Sequence, residues 1–271
     1  MHSAKYKVQS AECKDKTGIV AEGDTCSAST HPRINASTLR LIMKKVDDFI
    51  SSLVAYHAPL VCNPWRDEDS ALDIDGAAEI RRDNLAAYLA RRIGTARVLF
   101  IAEACGYQGG RFTGIAMTCE RMLLSRHPAV SAEMVLGKEG RRTSRADSPL
   151  LTNDKQRTEG FNEPTDTVVW KGAAEAGLAP EDFLLWNIFP FHPHKENAPL
   201  TNRTPTDKEL ADGLAFTKQL LEIARPTLLF AIGRKSEETL QAAGIQAIPL
   251  RHPANGGANL FRKGLFEAIS K

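Results

Sequence analysis

A carboxylate, an amide and an imidazole stand at the ends of three short apolar runs in this chain. Glu103 follows Val98-Leu99-Phe100-Ile101-Ala102, Asn187 closes Phe183-Leu184-Leu185-Trp186, and His252 lies just beyond the run from Ile245 to Leu250. A further run, Thr227 to Ile232, ends in Gly233-Arg234. An amide on a rigid strand can exchange two hydrogen bonds with the edge of a nucleobase. An imidazole can donate to an oxygen on which negative charge develops. A carboxylate can position water or stabilise a cationic sugar. The glycines that follow Glu103, namely Gly106, Gly109 and Gly110, permit close backbone approach to phosphates.

These residues can act together only if the runs are neighbouring strands. Short, β-rich, apolar runs are what strands buried on both faces look like. From residue 95 onward they alternate with helical patterns, which predicts a parallel sheet. All strand carboxyl ends of such a sheet open on one edge, where ligands bind. The set then fits cleavage of an N-glycosidic bond on a flipped-out base. One histidine with one carboxylate is too few ligands for a metal. No G-x-S-x-G elbow is present. The glycine loop lacks the spacing of a P-loop or a dinucleotide fingerprint.

The expected fold class is α/β: a three-layer α/β/α domain with a four-stranded parallel sheet, over residues 35–271. Residues 1–34, rich in Ser, Thr, Lys, Glu and Ala, read as a flexible N-terminal extension. Leu39, Ile42, Met43, Val46, Phe49, Ile50 and Leu53 recur at helical spacing, with Asn35 or Ser37 as the cap. A second helix spans about Gly76 to Ile93, and its Arg81, Arg82, Arg91 and Arg92 read as a solvated face. Thr113 is a good N-cap for a helix carrying Ile115, Met117, Met122 and Leu123. Ser125 to Pro164 has little periodicity and reads as disordered or functional. Its Lys138, Arg141, Arg142 and Arg145 either track a phosphate backbone or belong to a solubilising loop. Thr165 or Asp166 caps a helix ending at Gly177, and Thr204 caps another with Pro205 in its first position.

A net charge of +2 neither requires nor excludes nucleic acid. Five cysteines without CxxC spacing argue against a disulfide framework or zinc site, and for a reducing cytoplasm. No apolar run approaches membrane-spanning length.

From Arg97 to Lys271 the sequence resembles the uracil-DNA glycosylase superfamily. The first motif is Ala102-Glu103-Ala104-Cys105-Gly106 followed by Thr113-Gly114-Ile115-Ala116-Met117, and the last is His252-Pro253-Ala254. Leu185-Trp186-Asn187 lies between them. Asn202-Arg203-x-Pro205-Thr206 and the segment from Arg225-Pro226 to Gly233-Arg234 look like the branch that includes the iron–sulfur glycosylases. The resemblance implies that Asn187 pairs with the polar edge of the base and that His252 stabilises the departing anion. It implies that Glu103 assists water attack or stabilises the sugar cation. Ala104 and the backbone amides around Cys105, Gly106 and Tyr107 would line the pocket, and Met117 would cover the base face. Asn255, Gly256, Gly257, Arg262 and Lys263, with Arg234, would contact DNA.

The chain departs from the pattern in four places. Ala104 replaces a water-activating aspartate, Gly106 a thymine-excluding tyrosine, Met117 a stacking phenylalanine, and Phe191 a cluster cysteine. No cofactor or metal is therefore expected, and the expected partner is DNA, bound by a monomer. The expected activity is release of uracil from DNA. The alternatives are release of another deaminated base, or nucleic-acid binding without catalysis on the same fold.

Overall fold

The computed structural model describes residues 36–270; the N-terminal extension lies outside them. The chain runs α1 (Ala36–Ala55), β1 (Val61–Cys62), α2 (Ala77–Ala90), β2 (Val98–Ala104), α3 (Gly110–Thr113), α4 (Glu120–Leu123), α5 (Ala132–Leu136), α6 (Asp154–Glu159), α7 (Pro164–Glu175) and β3 (Phe183–Phe189). It continues through β4 (His192–Pro193), α8 (Asp207–Ala224), β5 (Leu228–Ile232), α9 (Arg234–Ala242), β6 (Ile248–Leu250) and α10 (Ala258–Ile269). The four apolar runs are β2, β3, β5 and β6, and they form one parallel sheet in the order β3-β2-β5-β6. Every side chain of β3 is buried, as are the first five of β2, because helices cover both faces. With the strand order β3-β2-β5-β6, the right-handed crossover rule puts α7 on one face and α8 with α9 on the other. The packing agrees: α10 lies on α7, while α1 and β3 hold α8 between them. Among the described residues, no helix is long and apolar enough to cross a membrane.

Several elements differ from the expectation. Arg81 and Arg92 are not on a solvated face; both are fully buried. Arg92 donates to the carbonyls of Phe183, Tyr88, Val135 and Met134, so one guanidinium ties α2 to the start of β3 and the end of α5. Arg81 donates to Asp73 at 3.0 Å and to the Asp67 carbonyl at 2.7 Å. Arg82 donates to the Trp65 carbonyl, and Arg91 pairs with Glu181. Thr113 ends α3 instead of capping a longer helix. Its hydroxyl takes the Ile115 N–H at 3.1 Å and donates to the Thr118 carbonyl at 2.7 Å, which folds residues 114–119 into a turn. Gly114, at φ 73°, makes that turn possible.

The segment between α4 and α7 is ordered, and the buried carboxylate of Glu120 organises it. It accepts the backbone N–H groups of Thr143, Ser144 and Phe161. Arg142 is spent on the Gln156 and Arg157 carbonyls, and Arg145 on Asp147 and the Ser70 carbonyl; Lys138 and Arg141 are exposed. Helix caps shift by a residue or two. Glu163 precedes Pro164 at the head of α7, and Thr206 with Glu209 forms a capping box on α8. Phe191 stacks on Tyr56 at 4.2 Å between ring centres, inside an aromatic cluster with Trp65, Phe189 and Phe216.

Candidate active site

The register of the sheet sets the first functional group. Asn187 lies opposite Ala102, near the carboxyl edge. Its side chain is buried, and its Nδ2 donates to the Ala104 carbonyl at 3.0 Å. That bond fixes the amide plane and leaves Oδ1 and the second N–H for a ligand.

His252 follows β6 by two residues. Its Nδ1 accepts the Ala254 N–H at 3.1 Å, so the proton of the neutral ring sits on Nε2. Burial, and then Arg251, hold the imidazole below the usual histidine range. Two glycines make room for this turn. A Cβ on Gly257 would lie 2.0 Å from the His252 carbonyl oxygen, and one on Gly233 would lie 3.3 Å from His252 Cβ.

The loop after β2 closes the site. The Cys105 N–H continues the ladder to the Phe189 carbonyl, and the Tyr107 N–H is taken by Asn202 Oδ1 at 3.0 Å. These two amides, expected to face the ligand, are therefore occupied. The Tyr107 ring packs edge-on against Phe161 and does not line the cavity that holds Asn187 and His252, and the Cys105 thiol is buried and pushed well up by that burial. Met117 adopts a left-handed backbone (φ 48°), and Trp170 Nε1 donates to its carbonyl at 3.1 Å. The turn, not a helix, aims Met117 inward.

Asn187, Met117, His252, Ala104 and Gly106 together line one cavity of about 290 Å³. This is near the small end for ligand pockets. Glu103 lies on a neighbouring cavity with Arg203, Thr204 and Pro205. Ala102, Ala104, Gly106, Asn202 and His252 line both, so His252 stands at the boundary between them. Burial raises the Glu103 carboxyl, Lys235 opposes the shift, and Oε1 is buried without a hydrogen-bond partner.

Two carboxyls in the pocket were missed from the sequence. Glu163 and Asp166, at the head of α7, line it beside Thr165 and Val169. A Cβ on Gly106 would meet Glu163 Oε2 at 3.3 Å and Asn202 Nδ2 at 3.7 Å. The space that Gly106 leaves is thus walled by side chains from two distant segments. The only signal in the sequence was the acid-Pro-x-acid pattern of a helix start, which reads as capping.

The residues expected to meet DNA divide. Asn255 and Gly256 form an exposed left-handed turn three residues from His252. Gly257 is buried and is the N-cap of α10. Arg234 is exposed and pairs with Glu238 at 3.7 Å. Arg262 pairs with Glu175 at 3.3 Å and Lys263 with Glu267 at 3.9 Å; both line a separate groove that shares no residue with the pocket.

Residues 92–269 match the family model described as "Uracil DNA glycosylase superfamily". The chain belongs to this superfamily. It is therefore a DNA glycosylase of base excision repair, with DNA as its partner. Among solved structures, wild-type SMUG2 from Pedobacter heparinus matches with a TM-score of 0.56 at 18% identity, over 84% of this chain and 95% of that one. That likeness bears on the fold: the same α/β/α arrangement around the parallel sheet. No curated protein matches the chain.

Proposed function

We propose that the protein hydrolyses the N-glycosidic bond of uracil in DNA, taking the base into the Asn187–His252 pocket and leaving an abasic site. The observation that carries this reading is the pairing of a fixed amide with a fixed imidazole on one cavity. Asn187 keeps an acceptor and a donor free, and His252 keeps its Nε2–H free. The amide matches the N–H/C=O edge of uracil. The Nε2–H donates to the carbonyl next to the scissile bond as the base leaves as an anion. A neutral ring serves here, because its donor is already in place and no proton needs to arrive.

Met117 packs on the base face. Glu103, on the adjoining cavity, faces the sugar side, where it orients water or offsets the positive charge that develops on the sugar. Asn255 and Gly256 press on the DNA backbone. No lysine is assigned to attack the sugar, so the reading is of a monofunctional enzyme, acting as a monomer.

The test is base release from oligonucleotides carrying one uracil, read as alkali-induced strand scission. Wild type, in excess, should cut both the single-stranded and the duplex substrate or one of them. Glu103→Gln and His252→Ala should each lose about 10²-fold or more. Full activity of His252→Ala would remove the role assigned to the imidazole.

A further inference from the structure

Asp166 lies on the pocket wall, yet nothing in the preceding reaction uses it. It is 3% exposed, its Oδ2 has no hydrogen-bond partner, and among the described residues no cation pairs with it. Gly109 leaves the room it occupies: a Cβ there would sit 2.7 Å from Asp166 Oδ2. Buried carboxyls without a partner are costly unless they are neutral or are completed by a ligand. Asp166 shares its cavity with Asn187, His252 and Met117.

The geometry points to Asp166 as a base-reading residue, whose carboxylic acid donates a hydrogen bond to an exocyclic carbonyl of the extruded base, with Glu163 as the positioning residue beside it. Such a carbonyl is the mark of deamination, standing where the parent base carried an amino group. The inference rests on the proposed glycosylase reading and names how that site tells a deaminated base from its parent. As an acid, Asp166 is complementary to the carbonyl; as a carboxylate, it repels it and favours an amino group instead.

The surroundings favour the acid. Burial first, and then Glu163, raise the Asp166 carboxyl well above the usual carboxylate range. Glu163 is itself raised by burial, while Thr165 Oγ donates to its Oε1 at 3.0 Å. Asp166 in turn raises the buried thiols of Cys105 and Cys119, and His252, whose imidazole is lowered by burial, shares its cavity. No positive neighbour offsets them within this set. Because the value is raised, the acid form is present below it and is lost as pH rises through it, so uracil recognition falls toward the alkaline side.

Two readouts test this. The first is single-turnover uracil release against pH for wild type, Asp166→Asn, Asp166→Val and Glu163→Gln. The second is binding to duplexes carrying a non-cleavable 2′-fluoroarabino-uridine or its cytidine counterpart. Asp166→Val should lose about tenfold in release on the acid side of the fall and a similar factor in the uridine-over-cytidine binding ratio, the worth of one hydrogen bond. Asp166→Asn, whose amide still donates, should stay within about threefold of wild type and lack the alkaline fall. Glu163→Gln removes a negative neighbour, so the fall should move to lower pH.

Equal release and an equal binding ratio in Asp166→Val would overturn the assignment, as would an alkaline fall that persists in Asp166→Asn. Should Asp166→Val fail to fold, the other two profiles decide. A wild type that releases no base but still prefers the uridine analogue, with the preference kept in Asp166→Asn and lost in Asp166→Val, would refute the proposed reaction and support the reading role. A wild type with no preference would refute the role.

Discussion

Two buried aspartates teach opposite lessons in this molecule. Asp73 and Asp166 are equally hidden from solvent, at 3% exposure each. Asp73 is surrounded by donors. Its Oδ1 takes Arg81 at 3.0 Å and Arg111 at 2.5 Å, and its Oδ2 takes Arg111 at 3.0 Å and the Asp69 N–H at 2.8 Å. Arg111 belongs to α3 and Arg81 to α2, so this carboxylate clamps the helix after the glycine loop onto the helical layer. Asp166 has a carboxylate neighbour and an oxygen without a partner, and it faces a cavity. Burial with complete pairing holds the fold together. Burial without it leaves bonding capacity for something that arrives later.

The largest effect is expected at Asp73. Asp73→Ala strands two buried guanidiniums and should cost about 3–5 kcal/mol in urea unfolding. A cost below about 1 kcal/mol would mean that Asp73 is not the clamp its geometry describes. Asp166→Val should act in the opposite direction, raising unfolding stability by roughly 1 kcal/mol because an unpartnered polar group is removed. Coming with the loss of uracil release, that gain would be the mark of a functional residue, whereas a loss of stability would place Asp166 with Asp73.

The smallest effect concerns pH. Arg251 is the lesser of the two causes that lower His252. Replacing it with Gln should let the ring protonate more readily and move the acid limb of activity upward by a few tenths of a unit. Protonation of Nδ1 would set it against the Ala254 N–H, so the neutral form is the working one. A downward shift would contradict that arrangement.

What the sequence made legible were features that depend on local pattern. Buried strands announce themselves as apolar runs, so Asn187 and His252 could be placed at one sheet edge before any coordinates. Features that depend on distant partners could not be read. Four arginines on and just past α2 look like a wet face until Asp73 supplies an acceptor to Arg81, and Val135 and Phe183 to Arg92, from elsewhere. The segment from 125 to 164 lacks periodicity because its order comes from side chains bonding to backbone, chiefly Glu120 and Arg142, and not from repeated apolar faces. Thr113 sat in a good capping context, but Gly114 turned the chain first. Asp166 read as a cap because its cavity forms only when α7 meets the β2 loop and the turn that carries His252.

The most direct measurement is single-turnover scission of a uracil-containing oligonucleotide by wild type beside Asn187→Ala, with protein in excess and alkali added after fixed times. Scission at the uracil by wild type and a loss of about 10²-fold or more in the variant are expected, since one substitution removes the two hydrogen bonds that the Asn187 amide makes to the base edge. Equal scission by the two proteins, or none by wild type, would contradict this expectation.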